Sequence, residues 1–314
     1  MEENMSEAIL KMPDGEIKYE IKDDAVSIAS YSGNDEEVVI PETVEGLFVK
    51  SIGKKAFMNV RGLRTIILPD TIEDLADWCF AYCKSLVRLE LPKKDIRIGH
   101  LPFFGDERLQ SIYLRNVKGS GDTVYASMPE KDRSDIGVLL AALHSMKNTD
   151  HLINLAAAGT PEWFKGLDRR LLEYIDEPDE EGHAELILCG EEFLNCTQDE
   201  FASMKRKKKA ATAFMRLLHP AGLSDASGER YISYIREHAF GCEHNEAWQF
   251  LRDDVGHLKE YYEYYVNSGC LNEDNFVDTL LDLGDKQTEM KAYFLRWKEN
   301  HKPKENDFFD SLSL

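Results

Sequence analysis

Three residues within seven positions could hold a metal. His238, Cys242 and His244, in "REHAFGCEHNE", offer two imidazoles and a thiol, ligand types that zinc takes. Apart from His257, no fourth ligand is evident nearby. A helix end with polar histidines and a buried thiol accounts for the same residues, so no metal or other cofactor is expected. Lys205, Arg206, Lys207, Lys208 and Lys209 form the one basic run, which could meet nucleic acid or an acidic partner. In a helix, five consecutive charges spread around the axis, which points instead to a solvated surface offsetting neighbouring acids. In "EYYEYYV", Tyr261 and Tyr265 share a helical face and Tyr262 starts the next one, the pattern of core packing with hydroxyls reaching outward. The sequence carries no GxSxG, HExxH, phosphate-binding loop or GxGxxG, so an enzyme is not expected.

The bulk properties agree. The 314 residues carry a net charge of −20, and both halves are acidic: 15 Lys+Arg against 21 Asp+Glu in residues 1–117, and 23 against 37 beyond. Such a chain repels phosphates, which disfavours nucleic acid and anionic lipid as partners. No apolar run approaches the roughly 18 residues of a membrane span. The stretch "MEENMSEAILKMPDGE" lacks the apolar core of a secretory leader, so the chain is read as cytoplasmic. The cysteines, Cys79, Cys83, Cys189, Cys196, Cys242 and Cys270, form no CxxC pair and suit free thiols.

The elements that would position any site are announced by a repeat. In "IGKKAFMNVRGLRTIILP" the apolar residues fit neither helix nor alternating strand. They fit a register of 23: Ile52, Leu75 and Ile98; Phe57, Phe80 and Phe103; Leu63, Leu86 and Leu109; Ile66, Leu89 and Ile112; Leu68, Leu91 and Leu114. Each unit carries L-x-x-[IL]-x-L, the leucine-rich-repeat spacing. The last two apolar positions lie two apart and point inward from a short strand, with the aromatic column in a helical or 3₁₀ turn opposite. Such a coil buries its apolar row only against neighbouring coils, so both ends need covering. Ile17, Tyr19, Ile21, Val26 and Ile28 alternate as a hairpin would to close the first end. Something after Leu114 must close the other.

"IGKKAF", "DWCFAYCKSL" and the recurring L-x-x-[IL]-x-L-P resemble the BspA-type leucine-rich repeats of anaerobic and gut bacteria, over about residues 16–115. Val38, Ile40 and Pro41 resemble the first strand and proline of that family. The pattern departs at Val60 and Asp106, where the family carries cysteine, and at Pro102, which suggests a worn terminal coil. The resemblance implies a protein partner at the outer face of the strands: Thr65 and Ile67, Arg88 and Glu90, Ser111 and Tyr113. It also implies, as the alternative, adhesin-like binding of host proteins at a cell surface. A metal-dependent enzyme or regulator built on His238, Cys242 and His244 is a further alternative.

Residues 116–133 are rich in Gly, Ser and charge and read as a linker, residues 134–302 as a helical domain, and residues 303–314 as a flexible tail. Ser134, Asp150, Thr160, Thr197 and Asn272 are candidate helix N-caps, and weak self-similarity at an offset of 63 suggests ankyrin-like helix pairs. The expected fold is thus α+β in two parts: over residues 1–115 a hairpin cap and a right-handed solenoid with a parallel strand ladder (units 52–74, 75–97 and 98–114), then an all-helical domain. The expected function is non-catalytic protein–protein interaction.

Overall fold

In the computed structural model, which describes residues 8–106, 108–117, 122–144, 154–183, 196–284 and 287–300, the apolar columns stack as the walls of a coil. The proposed tail, Asp150 and Cys189 lie outside the described residues. Strands β4 (Glu37–Val39), β7 (Thr65–Ile67), β9 (Arg88–Pro92) and β11 (Ser111–Arg115) form one parallel sheet. The pairing is Val38 to Ile66 to Leu89 to Ile112, the predicted rungs. All four residues are fully buried.

A second sheet goes beyond the single ladder expected. β6 (Leu47–Ile52), β8 (Asp74–Leu75) and β10 (Arg97–Ile98) run parallel, with Ile52 beside Leu75 and Leu75 beside Ile98, and the short β5 (Thr43–Val44) pairs antiparallel with β6. The aromatic column between the sheets is not helical. It sits in tight turns whose alternate amides bond the next coil: Phe57 N–H donates to the Cys79 carbonyl (2.7 Å) and Phe80 N–H to the Pro102 carbonyl (2.9 Å). Each wall of the coil thereby satisfies its own backbone. Pro102 preserves this bond, because its column contributes a carbonyl to it. The third coil therefore keeps both strands and is less worn than its sequence suggests.

The turns hold two residues per coil at positive φ, one column being Lys55, Trp78 and Leu101, the other Asn59, Tyr82 and Gly105. Left-handed backbone in non-glycine residues costs about 1–2 kcal/mol each. Its recurrence in register shows that the coil geometry imposes it.

At the N-terminal end, β2 (Gly15–Lys22) and β3 (Ala25–Gly33) form the expected hairpin, and β3 pairs parallel with β6. Ile17, Tyr19, Val26 and Ile28 are buried as predicted. Ile21, beside the turn of the hairpin, is exposed instead, and a further edge strand β1 (Ala8–Met12) precedes the hairpin.

The other end is closed by helices. α1 (Thr123–Ser127) and α2 (Glu130–His144) occupy much of the stretch whose composition suggested a linker. Its small and polar residues start helices rather than keep the chain loose: Asp122 accepts the Tyr125 amide at the N-cap (2.9 Å). Ser134 lies inside α2 and is not a cap. α2 lies against β11, where the Cβ of any residue replacing Gly137 would stand 2.7 Å from Ser111 Oγ. The buried Tyr125 donates its hydroxyl to the Leu114 carbonyl (2.9 Å). Lys93, 4% exposed, joins the pieces: its ammonium meets Asp122 (2.6 Å) and the Ala156 carbonyl (2.7 Å), over the Tyr125 ring. Lys93 in turn holds the Asp122 carboxyl below the usual carboxylate range.

Two compact units make up the chain: Met1–Arg170 with His219–Leu223, and Leu171–Leu218 with Ser224–Leu314. α3 (Pro161–Asp176) starts in the first and ends in the second. Thr160 caps it, accepting the Trp163 amide (3.2 Å). The second unit further contains α4 (Gln198–Leu218), α5 (Asp225–Glu237), α6 (Glu246–Phe250) continuing into a π-helical turn (Leu251–Val255), α7 (Lys259–Asn267), α8 (Phe276–Asp282) and α9 (Thr288–Asn300). Thr197 and Glu200 form a reciprocal capping box on α4. Asn272 instead builds a turn ahead of α8, accepting the Asp274 and Asn275 amides (3.0 and 3.1 Å). No helix among the described residues is long and apolar enough to cross a membrane.

Candidate functional site

The parallel sheet presents its outward side chains as two rows. Thr65, Arg88 and Ser111 stand in one, and Ile67, Glu90 and Tyr113 in the other. All six are half-buried. The outer face has definite internal structure: Arg88 Nε donates to Glu90 Oε1 (2.8 Å), and its guanidinium lies 4.7 Å from the centre of the Tyr113 ring. A cation held by a carboxylate and an aromatic face is fixed in position while its edge stays accessible. β4 extends each row by one rung, with Glu37 beside Thr65 and the half-exposed Val39 beside Ile67. Those two residues were absent from the expected face, although Val38 and Ile40 already marked their strand. Arg115 closes the far end, donating to the Leu68 carbonyl and pairing with Asp70 (3.3 Å).

The other candidates are occupied with structure. His238 Nδ1 donates to the Tyr234 carbonyl (2.9 Å), and its ring stacks on Tyr234 with centroids 4.1 Å apart. His244 stacks beyond it at 6.2 Å, and the exposed Cys242 thiol faces the Arg236 carbonyl (3.4 Å). Among the described residues, no three His, Cys, Asp or Glu gather as a metal site.

The basic run differs from the solvated surface expected of it. Lys205 and Lys209 are buried. Lys205 donates to the Pro178 and Glu181 carbonyls (2.8 and 3.0 Å). Lys209 donates to the Glu177 carbonyl (2.5 Å) and pairs with Asp179 (2.6 Å). Arg206 bridges Glu246 and Asp179, and Lys207 reaches Asp253 and Asp254. The lysines thus serve the carbonyls just past the end of α3, where a helix leaves acceptors unpaired and favours positive charge. Only Lys208 of the five is exposed.

Tyr262 and Tyr265 are fully buried, Tyr262 donating to the Leu251 carbonyl (2.8 Å) and Tyr265 accepting the Phe240 amide (3.0 Å). Their hydroxyls therefore bond inside the unit and do not reach the surface. The five described cysteines are free. Burial pushes the Cys83 and Cys270 thiols up to about 12, which leaves them protonated and weakly nucleophilic at neutral pH.

The family position that usually holds cysteine is Val60, then Cys83, then Asp106. Cys83 Sγ donates to the Phe57 carbonyl (3.0 Å). Asp106 accepts the Cys83 amide through Oδ1 (2.7 Å), while its other oxygen is buried without a partner. Burial pushes this carboxyl up to about 8.

The sequence of the coils has matches among known proteins. Residues 28–131 fit the family model of the BspA type leucine rich repeat region, in six copies. Similar solved structures include a leucine rich repeat protein of T. pallidum, 30% identical over 31% of this chain and 46% of that one, with a TM-score of 0.30. A leucine rich cell surface protein of Faecalibacterium prausnitzii is 22% identical over 36% of this chain and 30% of its own, with a TM-score of 0.29. A leucine-rich repeat protein from Bacteroides ovatus is 26% identical over 33% and 29%, with a TM-score of 0.30. The chain thus spans less than half the length of these three proteins. No curated protein matches it. Residues 28–131 are a BspA-type leucine-rich-repeat region, built on the columns that recur every 23 residues.

Proposed function

We propose that this chain is a non-catalytic protein-interaction module that binds a protein partner through the outward face of the parallel sheet. The observation that carries this reading is the arrangement of Arg88, Glu90 and Tyr113. Arginine and tyrosine are the residue types that dominate binding energy at protein interfaces, and here they are packed against each other on the last two strands of the ladder, β9 and β11. Because Arg88 is already held by Glu90 and Tyr113, little side-chain freedom remains to be lost on binding. Thr65, Ile67 and Ser111 supply the surrounding small and apolar contacts.

The test is capture of partners from native lysate by the immobilised chain, compared with the Arg88→Glu, Tyr113→Ala double variant. Loss of these contacts weakens the interaction by about 2 kcal/mol or more, roughly 30-fold, so the specific band disappears. Equal capture by both proteins, with unchanged circular dichroism, removes the strand face from the interface.

A further inference from the structure

Two cysteines that the proposed interface does not use stand on adjoining turns of the helical unit. Cys242 and Cys270 each follow a glycine in left-handed backbone, Gly241 at φ 89 and Gly269 at φ 78. The turn after α5 carries the first pair and the turn after α7 the second. Asn275 fastens the two turns together: its side-chain amide donates to the Phe240 carbonyl (3.0 Å) and to the Cys270 carbonyl (2.9 Å). Tyr265 of α7 does the same, its hydroxyl accepting the Phe240 amide (3.0 Å) and its carbonyl the Cys270 amide (3.2 Å). Arg236 adds a third link, with its carbonyl facing the Cys242 thiol (3.4 Å) and its guanidinium donating to the Ser268 carbonyl (2.6 Å).

The two thiols differ in access. Cys242 is exposed, whereas Cys270 is 3% exposed. Burial raises the Cys270 thiol, and the neighbouring Cys242 sulfur adds to that rise. A small oxidant therefore meets Cys242 first. The backbone beside each cysteine is uncrowded: a Cβ at Gly269 would meet nothing within 4 Å, and one at Gly241 only the Asn275 Cβ at 3.9 Å. The turns thus have room to reach the Cα separation of about 7 Å or less that a disulfide needs.

We infer that Cys242 and Cys270 are a peroxide-sensitive dithiol that oxidises to a disulfide across the two turns. The Cys242 sulfur attacks one peroxide oxygen. The O–O bond breaks, the Cys242 proton leaves with the other oxygen as water, and Cys242 becomes a sulfenic acid. The Cys270 sulfur then attacks the Cys242 sulfur. The S–O bond breaks as the S–S bond forms, and the Cys270 proton leaves with the hydroxyl as a second water. Proximity offsets the weak nucleophilicity of the buried thiol. Two electrons pass from the thiol pair to one molecule of hydrogen peroxide. The closed bond fastens the turn after α5 to the turn ahead of α8, and a thiol reductant reopens it. The site does not depend on the strand face.

Peptide mapping tests this. The full chain is treated with hydrogen peroxide at neutral pH, blocked with N-ethylmaleimide before denaturation and digested with trypsin without reductant. Cleavage after Arg236, Arg252, Lys259 and Lys286 places each cysteine alone in its own peptide, 237–252 and 260–286. The two peptides should be joined as one species, from protein that still runs as a single chain on a denaturing gel, and dithiothreitol should separate them. Cys242→Ser should abolish the joined species and leave Cys270 reduced. Cys270→Ser should leave Cys242 as a sulfenic acid that dimedone traps; if that variant fails to fold, the wild-type map decides alone. No joined species, joining only between two chains, or Cys242 carried on to sulfinic acid with Cys270 still reduced would overturn the assignment. So would joining that appears only when the fully buried Cys79 and Cys83 are oxidised as well, since that marks unfolding.

Discussion

The two units bury aromatic rings in opposite ways. In the solenoid, Tyr31, Phe57, Phe80 and Phe103 form a column with centroids 5.3, 5.4 and 5.8 Å apart, each inner ring touching one above and one below. In the helical unit Trp248 is a hub that meets Phe240, Tyr265 and Phe294 at 6.0, 5.6 and 6.3 Å. Its indole N–H also donates to Asp282 (2.5 Å). The column is a one-dimensional stack in which stability passes from neighbour to neighbour. The hub gathers residues from several helices with no common spacing. Charge follows the same division: the coils pair cations with acids one rung away, whereas α4 sends Lys205 and Lys209 into the carbonyls beyond another helix.

The strongest way to test the contrast is to cut the column. Phe80→Ala removes a fully buried ring between two others and should cost about 3–5 kcal/mol in guanidinium unfolding. In native-state hydrogen exchange, the amides of Phe57 and Phe80 should lose protection while those of α4 and α7 keep theirs. Equal loss in both units would show that the column is not an independent stack.

A smaller effect is expected from the buried cations. Lys209→Met leaves the Glu177 carbonyl without its donor and Asp179 with Arg206 alone. Unfolding should become easier by about 2 kcal/mol. The same change at Lys208 should stay within about 0.5 kcal/mol. If the two variants melt alike, the lysines do not serve the end of α3.

The remaining effect depends on pH. The Asp106 carboxyl titrates near 8 in the folded coil but near 3.8 when exposed, so the folded state holds a proton that the unfolded state has lost. Stability therefore falls as pH rises from about 4 to about 8. Asp106→Asn keeps the acceptor for the Cys83 amide and cannot ionise. Its melting temperature should exceed that of the wild type at pH 8, with the gap closing as pH falls to 4 and below. A constant difference at both pH values would mean that Asp106 is not protonated in the fold.

Much of the solenoid is legible in the sequence. Leu63, Leu86 and Leu109 had to share a wall, because residues 23 apart in sequence are neighbours in space at every coil. The outward residues Thr65, Arg88 and Ser111 followed from strand alternation, and the caps Thr160 and Thr197 from short-range hydrogen bonding. The second sheet was less visible, since β8 and β10 are two residues long and leave too short an alternation to detect. Composition misled at 116–133, where Asp122 and Pro129, residue types that mark loops, instead precede α1 and α2.

The sequence by itself determined the coil period, the buried columns and the residues facing outward, because each depends on a fixed offset along the chain. Only the tertiary structure decided that α1 and α2 close the solenoid through Lys93, Asp122 and Gly137, and that the basic run turns inward. Those outcomes join residues with no regular separation: Lys93 reaches Ala156 63 positions away, and Lys207 reaches Asp254 47 away. A local pattern carries no trace of such pairings, since they are set by which surfaces the folded chain brings together and which charges burial forces to find partners.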